Sequence, residues 1–241
     1  MTGLDYWNEV TGEINYWAAA SIHEAGHAVM VCRLQEVLGV DAGAIEISEA
    51  WPDFSGNMMY TGIAKSLGYF LPGKEMLAQQ ELIREMPAQQ ERFQELRALD
   101  CNWRRPARLY KARTMVALAG FAAENIAGQW LDAAEGYEND GGGGNDLSNT
   151  EESIWTVCAL AGSPSDDTLY SRYYRALYSL AYRSLLADWA AVERVSRALY
   201  AYESLRSGEI CALYEGRSLT AEEVESLYSA SPTPAEEPGQ G

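Results

Sequence analysis

The chain has 241 residues, of which 47% are hydrophobic, and a formal net charge of −17. A chain this apolar is not intrinsically disordered. Its acidity argues against a general nucleic-acid binder, which needs a basic surface, and against docking on an anionic membrane. We therefore expect a folded protein with neither nucleic acid nor a membrane as its partner.

No apolar run approaches the length of about 20 residues that crosses a bilayer. The most apolar stretch, residues 114–128, is short and contains Glu124. The N-terminus has no basic region followed by an apolar core, so it does not resemble a secretory signal. Scattered cysteines fit a reducing compartment better than a disulfide framework, which predicts a cytoplasmic protein. These cysteines are Cys32, Cys101, Cys158 and Cys211.

The first quarter of the chain predicts a helix followed by a hairpin. Residues 5–35 are helical in pattern and end in one strong, mostly buried helix. Residues 44–48 alternate between apolar and polar side chains, which favours a strand. A turn-rich patch over 51–57 separates it from a second candidate strand at 58–61, which Gly62 closes.

Two further helical regions follow. Residues 74–98 are charged, rich in glutamine and helical in pattern, and Pro87 should kink or split them. We treat residues 74–105 as a helical insertion. Residues 106–131 predict an apolar helix whose small side chains would let a neighbouring element approach closely. The small residues are Ala117, Ala119, Gly120, Ala122 and Ala123.

The rest of the chain is predicted to be helical. After the glycine run at 141–144, a helix should start near Asn145, with Asp146 or Ser148 near its cap. Residues 168–205 are predicted as one long helical stretch rich in tyrosine and arginine.

The C-terminal part of the chain closes the predicted domain. Ser207-Gly208 should interrupt the long helix, and Thr220 begins a capping-box pattern before a short last helix. We expect one domain over residues 1–228 and a disordered tail over 229–241. The predicted class is mainly α (α+β), with a small β-hairpin or three-stranded sheet.

His23, Glu24 and His27 form an H-E-x-x-H pattern, and the chain contains no other histidine. Residues four apart lie on one face of a helix, so both imidazoles can hold one zinc ion. Glu24 is offset by about 100° around the helix and can instead reach a water on the metal. The pattern therefore predicts zinc-assisted hydrolysis with Glu24 as the general base.

A catalytic zinc ion needs a third protein ligand, which here must be a carboxylate or, less favourably, a cysteine. Asp146 follows the glycine run near a helix start, although it could simply cap that helix. Glu124 lies on an apolar face, where it could be a ligand, a hydrogen-bond partner of an imidazole or the partner of an arginine. Glu151 and Glu152 are further candidates.

Three segments together resemble the FtsH-type zinc metalloproteases, peptidases that are usually linked to an AAA ATPase. Residues 21–29 (SIHEAGHAV) look like the metal-binding helix of that family. Residues 116–124 (VALAGFAAE) are similar to its small-residue helix, and residues 144–147 (GNDL) to the segment that supplies its third ligand. Residues 205–210 weakly resemble its C-terminal helical region.

The resemblance implies specific roles and a zincin-like helical peptidase fold with a small sheet beside the active-site helix. His23, His27 and Asp146 would be the zinc ligands and Glu24 the catalytic base. Glu124 would then be a structural group or the hydrogen-bond partner of a ligand. The implied activity is that of a metalloendopeptidase on flexible or unfolded polypeptides.

The chain also departs from the family. It has no Walker A sequence and no transmembrane segment, so the ATPase and membrane modules are missing. The enzyme should therefore cleave only flexible substrates or work with a separate ATPase partner. A homo-oligomer, normal in the family, is a further expectation.

Alternatives remain open on this basis. A peptide substrate could pair with an edge strand at residues 57–62 or at residues 66–71. An exopeptidase is one alternative to the endopeptidase. The rival from another class is a catalytically inactive, zinc-binding adaptor that acts through its acidic surface.

Overall fold

The computed structural model describes residues 15–38, 42–52, 58–63, 104–129, 144–163 and 165–229. Within these ranges the protein is mainly helical and contains one small antiparallel sheet, which confirms the predicted class. The helices are α1 (Tyr16–Leu38), α2 (Arg104–Ala127), α3 (Gly144–Leu160), α4 (Asp167–Ala187), α5 (Trp189–Tyr202), α6 (Ser207–Tyr214) and α7 (Ala221–Ser229). The strands are β1 (Ile45–Pro52), β2 (Met58–Ile63) and β3 (Ser204–Leu205).

The sheet has the strand order β2-β1-β3, and both of its strand pairs are antiparallel. Ile45 and Ile47 are buried as the alternating pattern predicts. Both long strands exceed their predicted bounds, because β1 continues through Pro52, which the sequence placed in a turn, and β2 continues to Ile63. The register of the β1–β2 pair shifts between Glu49 and Pro52, so pairing resumes after an irregularity.

Helices α1 and α2 pack against each other at the centre of the core. Their backbones come so close at Gly26 that a β-carbon there would lie 2.6 Å from the carbonyl oxygen of Ala119. Only glycine fits this crossing without a shift. The small side chains of α2 therefore allow the close approach that the sequence predicted.

Three further helices surround this pair. Helices α3 and α4 pack on α2, while α5 packs on α1. Tyr178 of α4 is fully buried between the rings of Tyr174 and Tyr182, and the side-chain amide of Asn125 donates a hydrogen bond to its hydroxyl. The hydrogen bond from Asn125 thus links α2 to α4.

Residues 168–205 are mostly helical, as predicted, but they form two helices and not one continuous helix. Helix α4 ends at Ala187 and α5 begins at Trp189, and the intervening Asp188 forms an ion pair of 2.5 Å with Arg33 of α1. The stretch then ends in the two residues of β3, which pair with β1. Local periodicity cannot reveal a break whose partner lies 155 residues away.

The sequence predicted that Ser207-Gly208 interrupts a helix, but these two residues begin α6. The carboxylate of Glu209 accepts a hydrogen bond of 2.7 Å from the backbone N–H of Arg206, which satisfies a free donor at the helix start. The capping box at Thr220 is confirmed. Its hydroxyl accepts from the backbone N–H of Glu223, whose carboxylate accepts from the backbone N–H of Thr220.

Several predictions lie outside the described residues. These are the insertion at 74–105 apart from its last two residues, the edge candidate 66–71, most of the glycine run and the tail beyond Ser229. The domain bounds stay predictions. Among the described cysteines, Cys32, Cys158 and Cys211 are free thiols. Within the same ranges, no helix combines the length and the apolar character that a membrane span requires.

Candidate metal centre

The H-E-x-x-H pattern lies in the middle of α1, where almost every residue is buried. His23 and His27 are one helical turn apart, and their ring centroids are separated by 4.7 Å in an edge-to-face arrangement. The His27 side chain is 3% exposed and that of His23 is 12% exposed. The two imidazoles therefore face the same side of α1.

Asp146 in the first turn of α3 meets both imidazoles. Its Oδ2 atom lies 3.1 Å from Nε2 of His23 and 3.2 Å from Nε2 of His27. In a tetrahedral zinc site with bonds of about 2.0–2.1 Å, neighbouring ligand atoms are about 3.3 Å apart. The carboxylate oxygen thus lies at the distance from each nitrogen that a shared ion would require.

The outer nitrogen of each ring has its own acceptor. Nδ1 of His23 lies 2.5 Å from Oε1 of Glu124, and Nδ1 of His27 lies 2.7 Å from the carbonyl oxygen of Val116. A carbonyl oxygen can only accept a hydrogen bond, so Nδ1 of His27 must carry the proton. The hydrogen-bond network thereby assigns the tautomer that leaves the Nε2 lone pair free for a metal.

This arrangement calls for a cation. With both rings neutral and protonated on Nδ1, two nitrogen lone pairs point at one carboxylate oxygen, and the three atoms repel each other. Either a proton on each ring or a divalent ion between the atoms relieves the repulsion. Two imidazoles and one carboxylate are a donor set that zinc accepts, so the residues fit a zinc ion.

Close packing against α2 also holds the ring of His23 in place. A β-carbon on Gly120 of α2 would lie no more than 2.6 Å from three atoms of that ring, which therefore rests directly on the α2 backbone. The ring of Phe121 contacts it edge to face, at 5.3 Å between centroids. His23 consequently has little freedom to turn away from Asp146.

Glu24 lies beside both histidines. One carboxylate oxygen of Glu24 and one ring nitrogen from each of His23 and His27 all lie within 4.8 Å of one another, so the three side chains could bind one metal ion. The side chain is buried, and its Oε2 atom makes no hydrogen bond. Burial raises the pKa of Glu24 although both imidazoles lower it. A buried carboxylate with a free oxygen is suited to accepting a proton.

The charges of the centre are strongly coupled. Burial lowers the pKa of His23, but hydrogen bonds to Asp146 and Glu124 outweigh it and raise this pKa well above its ordinary value. Burial also lowers the pKa of His27, but the charge of Asp146 outweighs this effect, so the pKa of His27 is raised. The imidazoles overcome the effect of burial on Asp146 and lower its pKa below the usual range.

The comparisons with known proteins identify no family. No family model matches the chain, and no curated protein matches it in sequence. The assignment to the FtsH-type peptidases therefore stays a prediction, based on the motifs and now on the geometry they form.

The structure brings together the five residues singled out from the sequence, which are His23, Glu24, His27, Asp146 and Glu124. It leaves the other two candidates aside. Glu151 is exposed, and five residues along α3 place it about 140° around the helix from Asp146. Glu152 lies about 120° from Asp146 in the opposite direction.

Sequence reasoning missed two contributions from α2. The carbonyl of Val116 has no side-chain signature, because any residue type supplies the same oxygen. Gly120 was recognised as small but not as the surface on which an imidazole rests. Its position four residues before Glu124, on the same helix face, is the signal that could have suggested it.

Proposed function

We propose that this protein is a zinc-dependent metallopeptidase that hydrolyses peptide bonds in flexible or unfolded polypeptides. His23, His27 and Asp146 would hold the metal, and Glu24 would be the general base. The observation that carries the proposal is the convergence of both Nε2 atoms on one oxygen of Asp146, with both outer nitrogens held by acceptors.

Zinc held by these three residues would supply Lewis acidity toward a water molecule and the substrate carbonyl. Glu24 takes the proton of the attacking water on its free Oε2 and then passes it to the leaving amine, which balances the transfer. Burial supports this role, because it makes the protonated form of Glu24 more accessible between the two steps. Glu124 and the Val116 carbonyl keep the imidazoles oriented throughout.

The centre is reachable from solvent on the side of α3. The Asp146 side chain is 26% exposed, whereas His27 on the inner side is 3% exposed. A substrate carbonyl would therefore enter between Asp146 and His23. We infer that solvent or substrate would take the fourth position of the metal, as in catalytic zinc sites, whereas structural zinc sites close all four positions with protein ligands.

Strand β2 offers a place for the substrate backbone. It packs near α1 and, within the described residues, has a neighbouring strand on one side only. A peptide added along this edge would pair through its main chain, which tolerates many sequences. Of the two edge candidates, residues 57–62 overlap β2 over residues 58–62 and are our choice.

The wider setting follows from the resemblance to FtsH-type peptidases. We propose an endopeptidase of the cytoplasm that either cleaves chains already flexible or receives them from a separate ATPase. A homo-oligomer belongs to the same proposal.

The second candidate function is an inactive zinc-binding adaptor. The buried, unpartnered oxygen of Glu24 argues against it, because a protein without catalysis gains nothing from a carboxylate whose burial is costly.

The test combines metal analysis with cleavage of an unstructured protein such as casein. The wild type should bind one zinc ion and cleave. Glu24→Gln should keep zinc and lose activity by at least about 100-fold, while Asp146→Asn should lose both. Glu151→Gln, on the opposite face of α3, is the matched control and should change neither. Normal cleavage by Glu24→Gln would remove the general-base assignment, and zinc binding without cleavage in the wild type would favour the adaptor.

A further inference from the structure

Positive charge is nearly absent from the segments that build the proposed centre. Between Arg113 and Arg172 the sequence contains no lysine or arginine but ten aspartates and glutamates. The first 64 residues contain nine acidic residues and a single basic one, Arg33. These two stretches supply α1, β1, β2, the C-terminal half of α2 and all of α3.

The single cation on these elements is neutralised. The guanidinium of Arg33 lies 2.5 Å from a carboxylate oxygen of Asp188. It also follows His27 by six residues, about 9 Å along the axis of α1. Within α2 the lysine and arginine residues all precede Val116, and the nearest of them, Arg113, lies three residues before it, about 4.5 Å along the helix axis.

Basic residues are concentrated elsewhere. Residues 104–113 at the start of α2 contain five basic and no acidic side chains, and α4 carries Arg172, Arg175 and Arg183. The ammonium group of Lys111 lies over the ring of Tyr173, at 4.9 Å, so the two stretches are neighbours. Tyr110 and Leu160 pack in one cluster there, which places the stretch around Tyr110 at the far end of α3, about 20 Å from Asp146, while Arg113 at the end of this region lies nearer to the centre.

The centre itself is anionic even when loaded. Glu24, Glu124 and Asp146 contribute three carboxylates around two imidazoles. A divalent ion with neutral imidazoles leaves one negative charge in excess. The unpartnered oxygen of Glu24, on a side chain that is 5% exposed, lies within this group. Zinc therefore does not reverse the sign of the field that an approaching substrate meets.

We propose that the enzyme selects cationic polypeptides, namely flexible segments rich in lysine and arginine. This inference rests on the proposed peptidase function. A chain with acidic residues around the scissile bond would meet like charges at the centre, whereas a basic chain is attracted over a distance of about one Debye length. The part of the basic region around Tyr110 and Tyr173 lies about 20 Å away, more than one Debye length, and does not compensate at ordinary ionic strength.

The test uses three fluorogenic peptides with the same apolar centre and with flanks of lysine, glutamine or glutamate. At low salt, zinc-loaded wild type should cleave the lysine peptide with a kcat/KM about tenfold or more above that of the glutamate peptide. The ratio should approach one at about 0.5 M salt, where the Debye length is only about 4 Å. Glu151→Lys, about 8 Å along α3 from Asp146, should reduce the ratio. Asp167→Lys, at the distant basic end, should leave it unchanged.

The outcomes distinguish a failure of the charge selectivity from a failure of the peptidase function. Cleavage of the glutamine peptide tests the peptidase function itself. If all three peptides are cleaved at equal rates, or the glutamate peptide is preferred, the selectivity is overturned and the peptidase function stands. If none is cleaved, the peptidase function fails. Anisotropy titrations of the same uncleaved peptides with zinc-loaded wild type then decide between selective binding of the lysine peptide, which retains the charge preference, and equal binding, which overturns it.

Discussion

Replacing Gly120 by alanine should displace the imidazole of His23 from the zinc ion that it would share with His27. The new β-carbon would lie no more than 2.6 Å from three atoms of the His23 ring, whereas ordinary contacts of this kind are about 3.4 Å or longer. The ring must therefore move by about 0.8–1 Å. Its hydrogen bond to Glu124 starts at 2.5 Å, so a shift of this size weakens or breaks that bond and moves Nε2 away from Asp146.

Two quantities follow for Gly120→Ala. Overpacking costs about 1–3 kcal/mol, so the metal-free variant should unfold about 2–12 °C below the wild type, at about 2–4 °C per kcal/mol for a chain of this length. Zinc affinity should fall by about 100-fold, or about 2.7 kcal/mol, because a ligand and its hydrogen-bond partner are displaced together. Competition with a chromophoric chelator measures the affinity, and calorimetry with and without zinc measures the stability.

Gly208→Ala is the matched control, because a β-carbon at Gly208 would meet no atom within 4 Å. It should bind zinc as the wild type does and gain up to about 1 kcal/mol from its better helix propensity. If Gly120→Ala binds zinc with wild-type affinity, the ring of His23 does not rest on α2 as described. If Gly208→Ala also loses zinc, the effect is not local and the reasoning fails.

Three further predictions concern neighbouring features. Gly26→Ala should destabilise the protein by about 1–3 kcal/mol in urea unfolding, because its β-carbon meets the backbone of Ala119; wild-type stability would show that the helices are further apart. Glu124→Ala should retain bound zinc at 10–100-fold lower affinity in a chelator titration, and complete loss of the metal would make Glu124 a ligand. Burial raises the pKa of Cys158 to about 11, so at pH 8 iodoacetamide should modify it far more slowly than Cys32 or Cys211, and equal labelling in mass spectra would contradict its burial.

Local patterns predicted much of the architecture. The spacing in α1 placed His23 and His27 on one face, and the alternation around Ile45 and Ile47 predicted a strand, since both depend only on nearby residues. The break at Asp188, whose carboxylate pairs with Arg33 of α1, has no comparable pattern among its neighbours in sequence. Its position was therefore missed, although the helices on either side of it were predicted.

The centre shows the same limit. Asp146 was selected from its position after a glycine run and from a family resemblance, but its distance to the imidazoles depends on how α3 packs against α2. Periodicity does not contain that information. The carbonyl of Val116 is hidden more deeply still, because the property that matters is the position of the backbone and not the residue type.

Val116, Gly120 and Glu124 follow one another at intervals of four along α2, and each serves an imidazole of α1. One face of a single helix thus provides the acceptor for His27, the space for His23 and the acceptor for His23. A one-residue insertion or deletion between Val116 and Glu124 would rotate the rest of α2 by about 100°. The two acceptors and the space for the His23 ring would then no longer lie on one face of the helix. In a library of length variants, this short stretch should be among the least tolerant in the protein, even though most of its side chains are interchangeable small residues.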